Sequence, residues 1–231
     1  MNTQKPVKPF HDPRGNVLLH SIFPTIQGEG IFAGEPATFV RLAGCNLKCP
    51  ACDTEYTDKS ELTTPKWILQ YVNAVTAPNR LVVITGGEPF RQNTDNLVTT
   101  LVEAGYRVQF ETNGTLPITF DPGLIRTGKV SIMCSPKVGR LHKELQPYIS
   151  AYKYVIDADH INLMDGLPTR VLGLRALPAR PPSNFEGTVY VQPMDSKDEV
   201  ENDKHLQATV KSAITFGYTL CLQVHKIINV E

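Results

Sequence analysis

Three cysteines fall within eight residues, at Cys45, Cys49 and Cys52, in the stretch GCNLKCPACDT. They are three of the chain's five, spaced C-x3-C-x2-C. A closed structural zinc site takes four protein ligands, commonly as two pairs, yet no fourth cysteine or histidine follows close behind. A four-iron cluster held by only three thiolates keeps one iron for another ligand, and three thiols in one tight loop suit that use. Cys134 and Cys221 lie in apolar runs and read as plain core residues.

Other positions carry chemistry by type and setting. Arg41 interrupts the apolar run ATFVRLAG, where an unpaired charge is costly. Its planar fork suits a carboxylate, which it can meet at two points. Gly86-Gly87-Glu88-Pro89 follows an apolar strand, and glycines at a strand end let backbone approach a ligand closely. Ser135 and Lys137 place a hydroxyl and a cation after another strand. Gln27-Gly28-Glu29-Gly30 opens a glycine-rich turn, but its G-x-G-x-x-x-G spacing is one residue too long for a dinucleotide loop. Taken alone, Asp53 and Thr54 read as a helix cap.

These groups need a scaffold, and the pattern of apolar runs supplies one. Strand-like runs at residues 38–42, 81–85, 106–110, 130–134, 152–156, 188–191 and 220–224 each lead into a polar loop. Helical stripes separate several of them: Ile68, Tyr71, Val72 and Val75; Leu97, Leu101 and Val102 before Gly105; Leu206, Val210 and Ala213 before Gly217. Strand, loop, helix, strand predicts an α/β fold with a parallel sheet and helices outside. The strands' C-terminal ends then share one rim, where barrel-type enzymes place their chemistry. Three clear helical stripes are too few for eight units, so a partial, open β/α barrel is expected. Residues 1–16, with Pro6, Pro9 and Pro13, read as a loosely held tail before a single domain at 17–231. Residues 159–187, rich in proline and arginine, read as a solvated irregular insertion.

Composition removes several function classes. Lys+Arg and Asp+Glu are both 23, giving zero net charge, so broad electrostatic binding to nucleic acid is not expected. A chain of 231 residues buries roughly 70% of its unfolded surface and needs no disulfide or structural metal to fold. No run reaches the ~18 apolar residues of a membrane span, and residues 1–15 have no signal-like apolar core. An exposed thiol triad fits a reducing compartment. The expectation is a soluble, cytoplasmic protein without membrane or nucleic-acid partners.

The cysteine loop resembles that of the radical S-adenosylmethionine (SAM) enzymes. The ordered set TIQGEG, Arg41, CNLKCPACDT, TGGEP, ETNG, SPK, VQPMD and QVHK resembles the 7-carboxy-7-deazaguanine synthase family, from about residue 22 to the end. The resemblance implies a lyase that contracts the ring of 6-carboxy-5,6,7,8-tetrahydropterin to 7-carboxy-7-deazaguanine with loss of ammonia, towards deazaguanine bases such as queuosine. It implies a [4Fe–4S] cluster on Cys45, Cys49 and Cys52, reduced by a flavodoxin or ferredoxin. One electron then passes to SAM, and a 5′-deoxyadenosyl radical takes a hydrogen from pterin C6. It also implies SAM contacts from Ala51, Asp53, Gly87, Ser135, Pro136 and Lys137, with Gln192, Pro193, Met194 and Asp195 on the adenine side. Pterin contacts fall to Ile26, Gln27, Gly28, Arg41, Thr85, His225 and the terminal carboxylate of Glu231. Mg²⁺ falls to Thr54, and a homodimer is implied. Many relatives carry an aromatic where this chain has Ala51, which leaves that side of the adenine to another side chain or to a looser hold. Two other readings stay open here: a glycyl-radical activase sharing the cysteine loop and GGEP, and a non-catalytic module holding zinc.

Overall fold

The computed structural model describes residues 4–52, 54–56, 60–75 and 81–230. Its strands are β1 (Val17–Ile26), β2 (Pro36–Leu42), β3 (Glu61–Thr63), β4 (Leu81–Gly86), β5 (Arg107–Thr112), β6 (Val130–Cys134), β7 (Ala151–Ile156), β8 (Thr188–Pro193) and β9 (Thr219–Leu220). Helices are α1 (Pro65–Val75), α2 (Asp95–Glu103), α3 (Gly123–Arg126), α4 (Glu199–Phe216) and α5 (Val224–Ile227). The strands form one sheet in the order β3-β1-β2-β4-β5-β6-β7-β8-β9. From β2 through β9 the neighbours are parallel, while β1 and β3 add antiparallel strands at one edge. The fold is α/β, and the open strand order makes it a partial barrel.

Alternation of side chains gives the sheet two unlike faces. On the outer face Val40, Ile84, Phe110, Ile132, Tyr152 and Val191 pack with Ile68 and Val72 of α1 and Leu97 and Leu101 of α2. The inner face has an apolar floor, where Ala37, Leu81 and Val83 meet Phe32 and Phe39. Towards the C-terminal ends the inner positions include Arg41, Thr85, Glu111, Lys153 and Gln192 beside Met133 and Val155, all of which line a cleft. A sheet greasy on one side and greasy-then-polar on the other positions chemistry at its rim.

Three expectations are corrected. On α4 the buried stripe is His205, Thr209, Ser212 and Ala213, with Leu206 and Val210 only half-buried. The reason is the neighbour: Ala158 N donates to His205 Nδ1 (3.0 Å) and Ser212 Oγ to Gly166 O (2.7 Å). Residues 159–187 are irregular and in large part exposed, as at Leu163, Met164 and Leu177, but Leu167 and Val171 are buried and anchor the segment, so it is only partly a solvated insertion. The expected strand at 220–224 is short. β9 keeps Thr219 and Leu220, after which the chain bends inward, Val224 N donating to Gly28 O (3.1 Å), and forms α5.

Residues 4–10 run beside the cysteine loop. Val7 N donates to Cys45 O (2.8 Å), and the Gln4 side chain bridges Thr54 O (3.1 Å) and Tyr56 N (3.2 Å). Buried Arg91 donates to Ala43 O (2.7 Å) and Lys8 O (2.8 Å), tying the segment to the loop's start. Replacing Arg91 by methionine should cost about 1–3 kcal/mol, lower the thermal midpoint by several degrees and speed proteolysis within residues 4–10. Wild-type proteolysis rates in the variant would show that Arg91 does not hold this segment.

Candidate active site

The polar inner positions open into a cleft with about 1310 Å³ not filled by protein, its open mouth included. Ile26, Gln27, Arg41, Ala51, Cys52, Thr54, Thr85, Gly87, Ser135, Lys137, Gln192, Pro193, Asp195 and His225 all line it. The structure thus brings together most of the residues singled out in sequence. Cys45 and Cys49 are buried off its wall, and Gly28 contributes its carbonyl to Val224. Pro136 and Met194 are not part of the lining; Met194 N donates to Ile156 O (2.9 Å). Asp53 and Glu231 lie outside the described residues.

The end of β4 is pressed against the cysteine loop. Gly86 has φ +138°, and a Cβ there would stand 2.0 Å from Leu42 O; a Cβ on Gly87 would stand 2.4 Å from Gly44 O. Only glycine fits either position. Glu88, fully buried, then gathers three donors: Phe90 N (3.1 Å), Thr112 Oγ1 (2.7 Å) and Asn113 N (2.7 Å). Burial pushes its carboxyl up to about 7, against those donors, which favour the ionised form. Asn113 Oδ1 accepts from Thr115 N (2.9 Å), so its amide NH₂ must face Asn46 Oδ1 (3.0 Å) and Cys45 Sγ (4.0 Å). Asn46 in turn donates to Thr115 Oγ1 (2.8 Å), closing a ring of three side chains beside the thiol.

Burial pushes the Cys45 thiol up to about 12 and Cys49 up to about 11. Thiolates at these positions need a positive partner, and iron is one. Cys134 is buried in the outer core, and Cys221 accepts from Gly30 N (3.2 Å), so neither joins the set. Among the described residues no three His, Cys, Asp or Glu groups converge as around a single ion. A four-iron cluster spreads its thiolates over separate irons, and three thiols in one loop fit that use.

Two further walls complete the cleft. Lys137 Nζ donates to Ser135 Oγ (2.5 Å) and Ser135 O (3.1 Å), which fixes its ammonium for an anionic group. Asp195 accepts from Lys226 (2.6 Å), chiefly through which its carboxyl is lowered to about 2. On the other wall Glu111 accepts from Gln27 Nε2 (3.0 Å) and Thr85 Oγ1 (3.2 Å), and Arg41 stacks over Phe23, 5.1 Å from the ring centre. Burial holds the His225 imidazole below its usual value, hence neutral near pH 7.

Glu29, Glu111, Lys153, Gln223 and Asn113 line the cleft and were missed in sequence. Lys153 sits in β7, where all six residues are buried. It pairs with Glu29, which also accepts from Gln223 Nε2 (2.8 Å). A charge amid AYKYVI is the same signal that exposed Arg41. Glu29 and Glu111 stood inside the motifs QGEG and ETNG.

Burial alone would raise the Glu29 carboxyl, but Lys153 and the hydrogen bonds from Lys153 and Gln223 override it, to about 2. Its stabilisation is therefore present above its ordinary value of 4.5 and is lost as pH falls from there through about 2. Lys153→Met should cost about 3–5 kcal/mol and invert that dependence, since the lone buried carboxyl must then take up a proton. Adding Glu29→Gln should restore most of the loss. Urea unfolding across pH checks both; equal losses in single and double variants would dismiss the pair as the cause.

Comparison with known proteins points the same way. Residues 26–117 match the model of a 4Fe-4S single cluster domain. The 7-carboxy-7-deazaguanine synthase of Rhodospirillum rubrum is 43% identical over 230 residues, covering 93% of each chain. That of Rickettsia prowazekii is 37% identical over 240 residues, covering 96% of this chain and 95% of its own. Among solved structures, QueE from Escherichia coli shares the fold, with a TM-score of 0.67 and 21% identity over 90% of this chain and 94% of that one. With identity at this level spanning nearly all of both chains, the protein belongs to the 7-carboxy-7-deazaguanine synthase family of radical SAM enzymes.

Proposed function

We infer that the chain contracts the ring of 6-carboxy-5,6,7,8-tetrahydropterin to 7-carboxy-7-deazaguanine, releasing ammonia, as a radical SAM lyase of deazaguanine biosynthesis. The observation that carries this is one cleft joining a three-thiol loop to a wall of Gln27, Arg41, Thr85 and Glu111. Near-complete coverage of the Rhodospirillum rubrum synthase supports it. Bound together, the cluster and SAM supply one-electron, hydrogen-abstracting chemistry.

The residues of the chain bind, orient and exclude water. Arg41 offers its fork to the pterin carboxylate. The Glu111 carboxylate, held between Gln27 and Thr85, accepts from ring and amino N–H groups. Gln27 is itself oriented, because its Oε1 must take Glu29 N (3.1 Å). Ser135 and Lys137 meet the SAM carboxylate, Gly87 offers backbone, and Gln192, Pro193 and Asp195 stand on the adenosine side. Thr54 would supply an oxygen for Mg²⁺, a cation that prefers oxygen ligands. Asp53, the Glu231 carboxylate, a flavodoxin- or ferredoxin-class reductant, a homodimer and a cytoplasmic setting complete the proposal. No helix among the described residues is long and apolar enough to cross a membrane. A glycyl-radical activase would have no use for the polar wall.

Anaerobic reconstitution with iron, sulfide, SAM, Mg²⁺ and the carboxypterin, followed by product mass, tests the reaction. Arg41→Met should raise KM for the carboxypterin roughly tenfold to a hundredfold, the loss of a charge-assisted pair, while SAM affinity holds; an unchanged KM would remove Arg41 from the substrate site. Thr54→Ala should shift the Mg²⁺ titration to higher concentration and slow product formation more than abortive SAM cleavage. Coincident titrations would rule out Thr54 as the ligand.

A further inference from the structure

The irregular segment at residues 159–187 carries a turn that its own sequence disfavours. Val171 and Leu174 form an antiparallel bridge, Leu174 N donating to Val171 O at 3.0 Å. Between them Leu172 (φ 49°) and Gly173 (φ 80°) are both left-handed. Such two-residue turns favour Asn-Gly, and an ordinary side chain at the first position is strained. Strain of this kind persists only where the surroundings fix it. Here they do: Leu172 O accepts from Ala51 N (3.0 Å), a Cβ on Gly173 would stand 3.1 Å from Pro50, and Val171 is buried. The turn is docked on the cysteine loop between Cys49 and Cys52. Any residue could deliver that carbonyl. Leu172 also lines the cleft, as do Ala51 and Pro193.

We propose that Leu172 is a SAM-binding residue whose side chain forms the apolar wall against the adenine ring, which Ala51 is too small to cover. This rests on the radical SAM reading of the cleft. The methionine end of SAM is charged and is met by Ser135 and Lys137, whereas adenine is a flat, weakly polar surface. An aliphatic side chain offers contact area and nothing else, which suits the ring and not the charged end. The pterin, with polar groups around its edge, is served by Gln27, Arg41 and Glu111.

The test uses cluster-reconstituted enzyme bearing Leu172→Ala or Leu172→Asn, with affinities from equilibrium dialysis. Both variants should bind SAM and 5′-deoxyadenosine about tenfold more weakly, with iron content and carboxypterin affinity unchanged. Leu172→Asn should at the same time raise the thermal midpoint of the SAM-free protein by roughly 2–4 °C, because asparagine suits the turn. Unchanged SAM affinity in both variants overturns the assignment. So does a lowered midpoint in Leu172→Asn, which would make the leucine a prop for the turn, or a loss confined to carboxypterin. If the unmodified enzyme binds no SAM, the reading of the cleft itself fails.

Discussion

A lysine in the middle of a buried parallel strand must meet an anion, and Lys153 meets Glu29. Each ion taken alone out of water would cost several kcal/mol, so neither partner can leave. The consequence is architectural. Glu29 comes from the turn after β1, Lys153 from β7, and Gln223, which also binds Glu29, from the last residues of the chain. A sheet with two free edges cannot close by backbone pairing, so this pair draws the far sides of its inner face together. The cleft lies beside this pair, with Glu29, Lys153 and Gln223 all on its wall.

A second constraint acts at the rim. The close approach of Gly86 and Gly87 to Leu42 and Gly44 places the cysteine loop directly on the end of β4. Glu88 then draws the end of β5 to the same point through Thr112 and Asn113. Asn113 reaches Cys45 only because Thr115 has fixed which way its amide turns. Loop, β4 and β5 are thus registered by contacts that do not depend on the cluster, which is consistent with a site built before it is filled.

How much of this could be read from sequence depended on whether a feature leaves a local trace. Strands buried on both faces leave continuous apolar runs, so β4, β6 and β7 were legible, as was the rim they share. Arg41 was legible because it interrupts such a run. Lys153 breaks β7 in the same way, but flanking tyrosines are amphipathic and soften the contrast. The stripe on α4 was misread because its partner is irregular backbone, which asks for His205 and Ser212 where a sheet would ask for leucine. Residues 159–187 looked solvated because their prolines break regular structure and their arginines are charged. Arg180 spends its fork on Asp165 (2.8 Å) and on the carbonyls of Pro168 and Pro178 (3.0 and 3.2 Å), inside the segment itself. The docking of Leu172 on Ala51 joins distant stretches and leaves no periodicity at all.

The supports of the cysteine loop have a further meaning in the order of synthesis. Gln4, Val7, Asn46, Glu88, Arg91, Asn113 and Thr115, which brace the loop by hydrogen bonds, lie in the first half of the chain, and Leu172 O adds a brace from the second. Lys153, Leu172, Gln192, Gln223 and His225, which wall the cleft, come from the second. Chains are made from the N-terminus, and a domain generally folds as a unit. Synthesis from the N-terminus therefore delivers the thiol triad and most of the groups that brace it ahead of the residues that wall the cleft.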